Sequence, residues 1–149
     1  MRQEENSLKE QIRNIHEEAR MVPPGIQALF GFQTVAVFNQ RFTDLPHEAM
    51  ICHILALSLV VLSIALVMTP AAYHRIVETD RVSERTVRLS SLLICAALAP
   101  LACGLALDMF VVLSLATHSA ATSIAGGLVT LMLLMGLWFA FPFRTRRRR

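Results

Sequence analysis

The sequence predicts an all-α, polytopic membrane protein with four transmembrane helices and an N-terminal cytoplasmic amphipathic helix. Hydrophobic residues make up 54% of the 149 residues, and the mean hydropathy is +0.52. Charged residues make up only 17%, against roughly 25% in an ordinary soluble domain. The apolar residues fall in long blocks rather than in the amphipathic periods that a water-soluble fold would show. These observations argue against disorder and against a soluble fold.

Residues 1–20 form the first predicted element. Leu8, Ile12, Ile15 and Ala19 recur at helical spacing and place one apolar stripe on an otherwise charged helix. Two interpretations stay open for this helix. It is either a solvated helix with a narrow core-facing seam, or a contact for a partner protein. The stripe covers fewer than three heptads, so the coiled-coil signal is weak.

Four uncharged or nearly uncharged blocks are each long enough to cross the roughly 30 Å hydrocarbon core of a bilayer. The first block starts at a Pro-Pro-Gly sequence. Prolines can stand in the first turn of a helix but not in its interior, so a new helix is expected to begin here. The predicted spans are residues 22–41, 49–73, 89–117 and 124–143. Residues 144–149 form a basic tail after the last span.

The basic residues are strongly segregated along the chain. Thirteen of the fourteen lie in residues 1–20, 75–88 and 144–149, and the other is Arg41. The positive-inside rule therefore predicts a multi-pass membrane protein with both termini in the cytoplasm. The basic tail is also expected to contact lipid head groups. Its arginines are Arg144, Arg146, Arg147, Arg148 and Arg149.

The first span is the most polar of the four. Gln27, Gln33, Thr34, Gln40 and Arg41 fall within an arc of about 140° on a helix. Amide groups that face lipid without partners are costly, so this arc should face protein or water. A homo-oligomer with a pore or water-filled cavity lined by the arc would satisfy it.

Asp108 is the most informative single residue because it lies well inside the third span. Ionisable residues at such a depth are expensive and usually face a bundle interior or water. Arg41 and His53 are expected at a similar level, which predicts an Arg41–Asp108 ion pair with His53, Asn39 and Gln40 as hydrogen-bond partners. Such a cluster is either a structural lock between helices or an ion or proton site that opens outward.

The motifs of common enzymes and cofactor sites do not occur in the sequence. HExxH, GxSxG, Walker and GxGxxG patterns are missing, so no enzymatic activity is expected. The histidines and the three cysteines form no CxxC, CxxCH or local metal motif, so neither haem nor a metal site is expected. Nucleic-acid binding is not expected either, because the arginine cluster abuts a membrane span.

Two segments resemble a known family. They are GIQALFGFQTVAVFNQRF at Gly25–Phe42 and TPAAYHRIV at Thr69–Val77. They are similar to a family of small bacterial inner-membrane proteins of unknown function, and the resemblance covers residues 18–143. It implies a four-span membrane protein and no particular activity. The positions that it marks are Gln27, Phe30, Arg41, Phe42, Pro70, Tyr73, His74, Arg75 and Asp108.

Tyr73, His74 and Arg75 are expected at the cytoplasmic interface. They either anchor the second helix there or form a cytoplasmic gate or partner contact. For the whole chain, the first hypothesis is a homo-oligomeric ion or proton channel or transport protein lined by the polar face of the first span. The alternative is a non-conducting scaffold or accessory subunit that binds a partner through residues 1–20.

Overall fold

The described part of the chain is helical almost throughout. In the computed structural model, it comprises residues 23–77 and 84–147. Its helices, in chain order, are α1 (residues 23–37), a 3-10 helix (Gln40–Asp44), α2 (His47–Val77), α3 (Glu84–Thr117), α4 (Ala120–Met135), a π-helical segment (Gly136–Ala140) and α5 (Phe141–Arg147). The predicted amphipathic helix at residues 1–20 lies outside the described residues.

Within the described residues, three helical segments are long and apolar enough to cross a membrane. They are His47–Tyr73, Thr86–Thr117 and Ala120–Thr145, and they correspond to the second, third and fourth predicted spans. The described part of the first predicted span is α1, which is about 22 Å long at 1.5 Å per residue. The structure therefore shows three segments of membrane length where the sequence predicted four.

Both ends of the fourth predicted span, residues 124–143, differ in the structure. The connection between the third and fourth predicted spans, residues 118–123, is shorter in the structure, where only His118 and Ser119 lie outside helices. The Ser119 side chain accepts a hydrogen bond from the Thr122 backbone N–H at 3.5 Å and so starts α4 early. At the other end, residues 144–147 continue as helix rather than beginning a separate tail.

Helices α2 and α3 form the central antiparallel pair, and small residues let them approach closely. A Cβ atom added at Gly104 would lie 3.3 Å from the Ala56 carbonyl oxygen. Seven residues further along α2, Ser63 is fully buried, and its hydroxyl donates to the Ala97 carbonyl oxygen of α3 at 3.1 Å. Close approach through small residues is how helices associate in lipid.

Helix α4 packs against the opposite side of α3. A Cβ atom at Gly127 would lie 3.1 Å from the Ala106 carbonyl oxygen, so a glycine again marks the crossing. Most of the rest of α4 is exposed, including Leu128, Met132 and Leu133. An apolar surface of this kind suits contact with lipid rather than water.

Helix α1 lies along the α2–α3 pair. Ile26 is buried in one cluster with Val60 and Ala97, and seven residues later Gln33 meets the other end of the pair. This order makes α1 antiparallel to α2 and parallel to α3. The opposite face of α1 is apolar and exposed, with Phe32 76% and Phe38 83% accessible.

Candidate functional site

Three polar side chains from three helices meet in one place. Gln33 comes from α1, His53 from α2 and Asp108 from α3. Gln33 and His53 are each 4% exposed, and the Asp108 side chain is 19% exposed. His53 and Asp108 each lie about 10 Å from the midpoint of their membrane-length segments. The cluster is therefore at a depth where a bilayer would still be hydrocarbon.

Two hydrogen bonds hold Gln33 to the other members. The Gln33 side-chain Nε2 donates to Asp108 Oδ2 at 2.5 Å. The His53 Nε2 lies 3.0 Å from the Gln33 backbone carbonyl oxygen. Gln33 is thus bonded to α2 through its backbone and to α3 through its side chain. This single residue fixes α1 against both helices at this level.

The Gln33 carbonyl also determines where one histidine proton lies. A carbonyl oxygen can only accept, so His53 Nε2 must carry a proton and donate it. The other ring nitrogen, Nδ1, lies 3.9 Å from Asp108 Oδ1. That separation suits an ion pair but exceeds a direct hydrogen bond. His53 Nδ1 is therefore the ring atom at which a proton can be gained or lost.

One buried acceptor in the cluster has no partner. Gln33 Oε1 makes no hydrogen bond to any described residue. Burying a polar atom without a partner costs about 1–3 kcal/mol. Such an orphan is uncommon in a purely structural contact, because native interiors satisfy nearly all of their polar groups.

Apolar side chains separate the cluster from one end of the bundle. The Phe42 ring packs edge-on against the His53 ring with centroids 5.4 Å apart. Leu45, Ala49 and Val111 form a buried layer about one helical turn beyond His53 and Asp108. We call these three residues the apolar layer.

A cleft of about 810 Å³ lies on the far side of this layer. Its polar lining comprises Asp44, Glu48, Ser114 and His118. Its floor includes Ala49, which also belongs to the apolar layer. The cleft thus approaches the cluster from one end, and the apolar layer stands between them.

The other predicted members of the polar arc lie elsewhere. Gln27 and Gln40 are exposed, and Thr34 bonds within α1 to the Phe30 carbonyl at 2.9 Å. Asn39 is exposed but has a polar contact of its own. In the isolated chain, these side chains do not share one buried face with Gln33. The arc predicted from helical geometry is therefore divided between the interior and the surface.

The predicted Arg41–Asp108 ion pair stays a prediction, because the Arg41 side chain lies outside what the structure describes. Among the described side chains, Gln33 and His53 lie at the two oxygens of Asp108. Sequence reasoning included Gln33 in the polar arc but missed that it binds Asp108. The three-residue spacing from Phe30 and the seven-residue spacing from Ile26 could have indicated its inward direction.

The remaining predicted positions lie near the other end of the bundle. Tyr73 is 38% exposed and Arg75 is exposed, whereas the His74 side chain is outside the described set. Arg144 is exposed on α5. The side chains of Arg146 and Arg147, and the whole of residues 148–149, also lie outside the description. The structure brings none of the described ones to the Gln33–His53–Asp108 cluster.

The described residues contain no arrangement of side chains for metal binding or for thiol chemistry. No group of three or more His, Cys, Asp or Glu residues there could hold a metal ion. Cys52, Cys95 and Cys103 are all free thiols, as their odd number and apolar surroundings indicate. The chemistry of the cluster therefore depends on the carboxylate, the imidazole and the amide.

Within the described residues, three apolar helices of membrane length, two of which share a buried polar cluster with α1, define a helical membrane protein. The chain belongs to the Family of unknown function (DUF6328), whose model matches residues 2–142. This confirms the resemblance seen in the segments around Gln27 and Tyr73. No curated protein and no solved structure matches the chain.

Proposed function

We propose that this protein transports protons or other small cations across a bacterial inner membrane. In this proposal, the Gln33–His53–Asp108 cluster is the ion-binding step of the pathway. The main support is the pairing of two ionisable residues, 3.9 Å apart, inside helices of membrane length. Intramembrane ionisable residues are rare and commonly mark ion pathways or proton relays.

The details of the cluster favour an ion site over a structural lock. A lock would be expected to satisfy every buried polar atom, because unmet groups weaken it. Here Gln33 Oε1 has no partner among the described residues, and His53 Nδ1 and Asp108 Oδ1 are too far apart for a direct hydrogen bond. Both features leave room for an exchangeable proton.

The cleft supports a route to the cluster from one end. Asp44 and Glu48 at its lining would attract cations. From there, passage to His53 requires the apolar layer to part, since Ala49 lies between the cleft and the cluster. We propose that the apolar layer is the gate on this side.

The proposal includes a fourth crossing formed by residues 22–41. Its support is that α1 packs along α2 and α3 and exposes apolar side chains such as Phe32 on its outer face. The distribution of basic residues favours both termini in the cytoplasm and the arginine tail at the lipid head groups. Exposed Gln40 favours a homo-oligomer in which a second copy covers it.

Proton flux into vesicles tests the proposal. Purified protein is reconstituted into vesicles that contain a pH-sensitive dye, and a pH gradient with a potassium potential is applied. We expect Asp108→Asn and His53→Gln to reduce the flux by about tenfold or more, because each removes a proton-carrying group. His47→Gln is the matched control, since His47 is exposed at the start of α2.

A second matched pair locates the path. Gln33→Leu removes the buried amide, and Gln27→Leu makes the same change at an exposed position of α1. We expect only Gln33→Leu to alter the flux. If only Gln27→Leu alters it, the path follows the outer face of α1 and the cluster is not its ion-binding step. If folded wild-type protein passes no cation under any gradient, transport is excluded and the scaffold hypothesis gains support.

A further inference from the structure

The cluster contains more proton positions than protons that it can hold at low cost. His53 Nε2 is committed to the Gln33 carbonyl, so the exchangeable positions are His53 Nδ1 and the Asp108 carboxyl. With one proton on these two groups, the pair is neutral overall. With none, it carries a net negative charge, and with two, a net positive charge. A buried net charge is strongly disfavoured in a membrane interior.

We propose that His53 and Asp108 share one exchangeable proton. We also propose that the side-chain amide of Gln33 flips, exchanging its Nε2 and Oε1 ends, when the proton moves between the two residues. This inference deepens the proposed transport function, on which its role in transport rests. In one form, the proton is on His53 Nδ1 and Asp108 is a carboxylate. In the other, the proton is on Asp108 and His53 is neutral. The transfer breaks one N–H bond and forms one O–H bond, with no change in total charge.

The amide of Gln33 can serve both forms because its two ends have opposite hydrogen-bonding roles. In the arrangement seen here, Nε2 donates to Asp108 Oδ2, as suits a carboxylate. Oε1 is then the end without a partner. When the carboxyl group of Asp108 rotates to bring its protonated oxygen toward Gln33 and the amide flips, Oε1 can accept a hydrogen bond from the Asp108 O–H. The orphaned oxygen is therefore the acceptor that the second form would use.

The gap between the two groups suits such an exchange. At 3.9 Å, His53 Nδ1 and Asp108 Oδ1 are separated by more than one hydrogen bond. A proton crosses this gap through a bridging water or after a small rotation of the ring. The Phe42 ring at 5.4 Å holds the imidazole from the side and leaves its Nδ1 edge toward Asp108.

Few other titratable groups face the pair in the described structure. Residues 23–37 of α1 and Ala120–Met135 of α4 contain none. On α2 and α3 the nearest along the chain are the thiols Cys52 and Cys103, and the Arg41 side chain is not described. The charged and titratable groups beyond the apolar layer are Asp44, Glu48 and His118 at the cleft.

Solid-state NMR of the full-length protein in phosphatidylcholine–phosphatidylglycerol vesicles tests the inference. Histidine is labelled with ¹⁵N and aspartate with ¹³C, and the two signals are assigned by their loss in His53→Gln and Asp108→Asn. At neutral pH, we expect His53 Nε2 to stay protonated. We expect Nδ1 to exchange between protonated and unprotonated forms, with complementary populations of ionised and neutral Asp108.

Variants separate a shared proton from two independent titrations. In Asp108→Asn, the ratio of protonated to unprotonated Nδ1 should fall by about tenfold or more, because the neutralising charge is gone. Gln33→Met removes both the donor and the acceptor of the amide but keeps an unbranched side chain. In this variant, Asp108 should stay in a single protonation form. Gln27→Met is its exposed control and should leave both populations unchanged.

Fixed forms of both wild-type residues, or populations without a complementary relation, would overturn the shared proton. The NMR result is independent of the vesicle flux. Complementary populations without flux support the shared proton and exclude transport. Flux with fixed forms supports transport and excludes the shared proton.

Discussion

At the scale of residues, Asp108 owes its place in an apolar helix to two partners on neighbouring helices. Gln33 donates to one carboxyl oxygen, and His53 faces the other. The sequence made Asp108 and His53 noticeable, because an ionisable residue inside a span is expensive wherever it occurs. It predicted less well which amide would meet them. Gln33 and Gln40 are seven residues apart, but α1 ends at residue 37 and Gln40 begins the 3-10 helix.

The division of the polar arc has a physical reason. Helical geometry places residues on a common face only while the helix continues. Helical geometry also does not show whether this face points into the bundle or out of it until the neighbouring helices are placed. The contacts of Ile26 with α2 and α3 turn Gln33 inward and leave Gln27 exposed. These contacts depend on the register of three helices, which a single sequence does not contain.

At the scale of elements, glycines and small residues determine how closely the helices approach. The α2–α3 crossing depends on Gly104 against Ala56, and the α3–α4 crossing depends on Gly127 against Ala106. In α3, Ala96, Pro100 and Gly104 recur every fourth residue, and of these only Gly104 is buried. The predicted spans lie within the observed helices of α2 and α3, but α3 begins five residues before the third predicted span, and the Ser119 cap shortens the last connection.

The close α2–α3 contact predicts a specific effect of Gly104→Ala. The new Cβ would lie 3.3 Å from the Ala56 carbonyl oxygen, so the two backbones must move apart. We expect a loss of about 1–3 kcal/mol in the free energy of unfolding, measured by denaturant titration in detergent micelles. Gly31→Ala is the control, because nothing lies within 4 Å of a Cβ there. Equal effects at the two positions would contradict a close crossing at Gly104.

At the scale of the whole molecule, α1, α2 and α3 each contribute one residue to the buried polar cluster, and α4 packs against α3. The fold class and most of the membrane segments follow from long apolar blocks, since no soluble packing could bury so much apolar surface. The exposed apolar faces of α1 and α4 agree with this, because they are suited to lipid. The meeting of Gln33, His53 and Asp108 appears only when the whole bundle is assembled.

The proposed orientation predicts which helix ends a reagent can reach from each side of the membrane. The three native cysteines are replaced by alanine, and a single cysteine is introduced by Ala121→Cys or Thr145→Cys, both exposed positions. A membrane-impermeant maleimide added to intact spheroplasts should label Ala121→Cys and spare Thr145→Cys until the membrane is opened. The reverse pattern would place the arginine-rich end outside and contradict the proposed orientation.

The central claim is that His53 and Asp108 act as one unit in moving protons. The most direct measurement is the proton flux of vesicles that contain the His53→Gln/Asp108→Asn double variant, compared with each single variant and with wild type. Residues that act as a unit are strongly non-additive, so the double variant should lose no more flux than the more damaging single variant. Losses that multiply would show two independent sites, and wild-type flux no greater than that of empty vesicles would contradict the claim altogether.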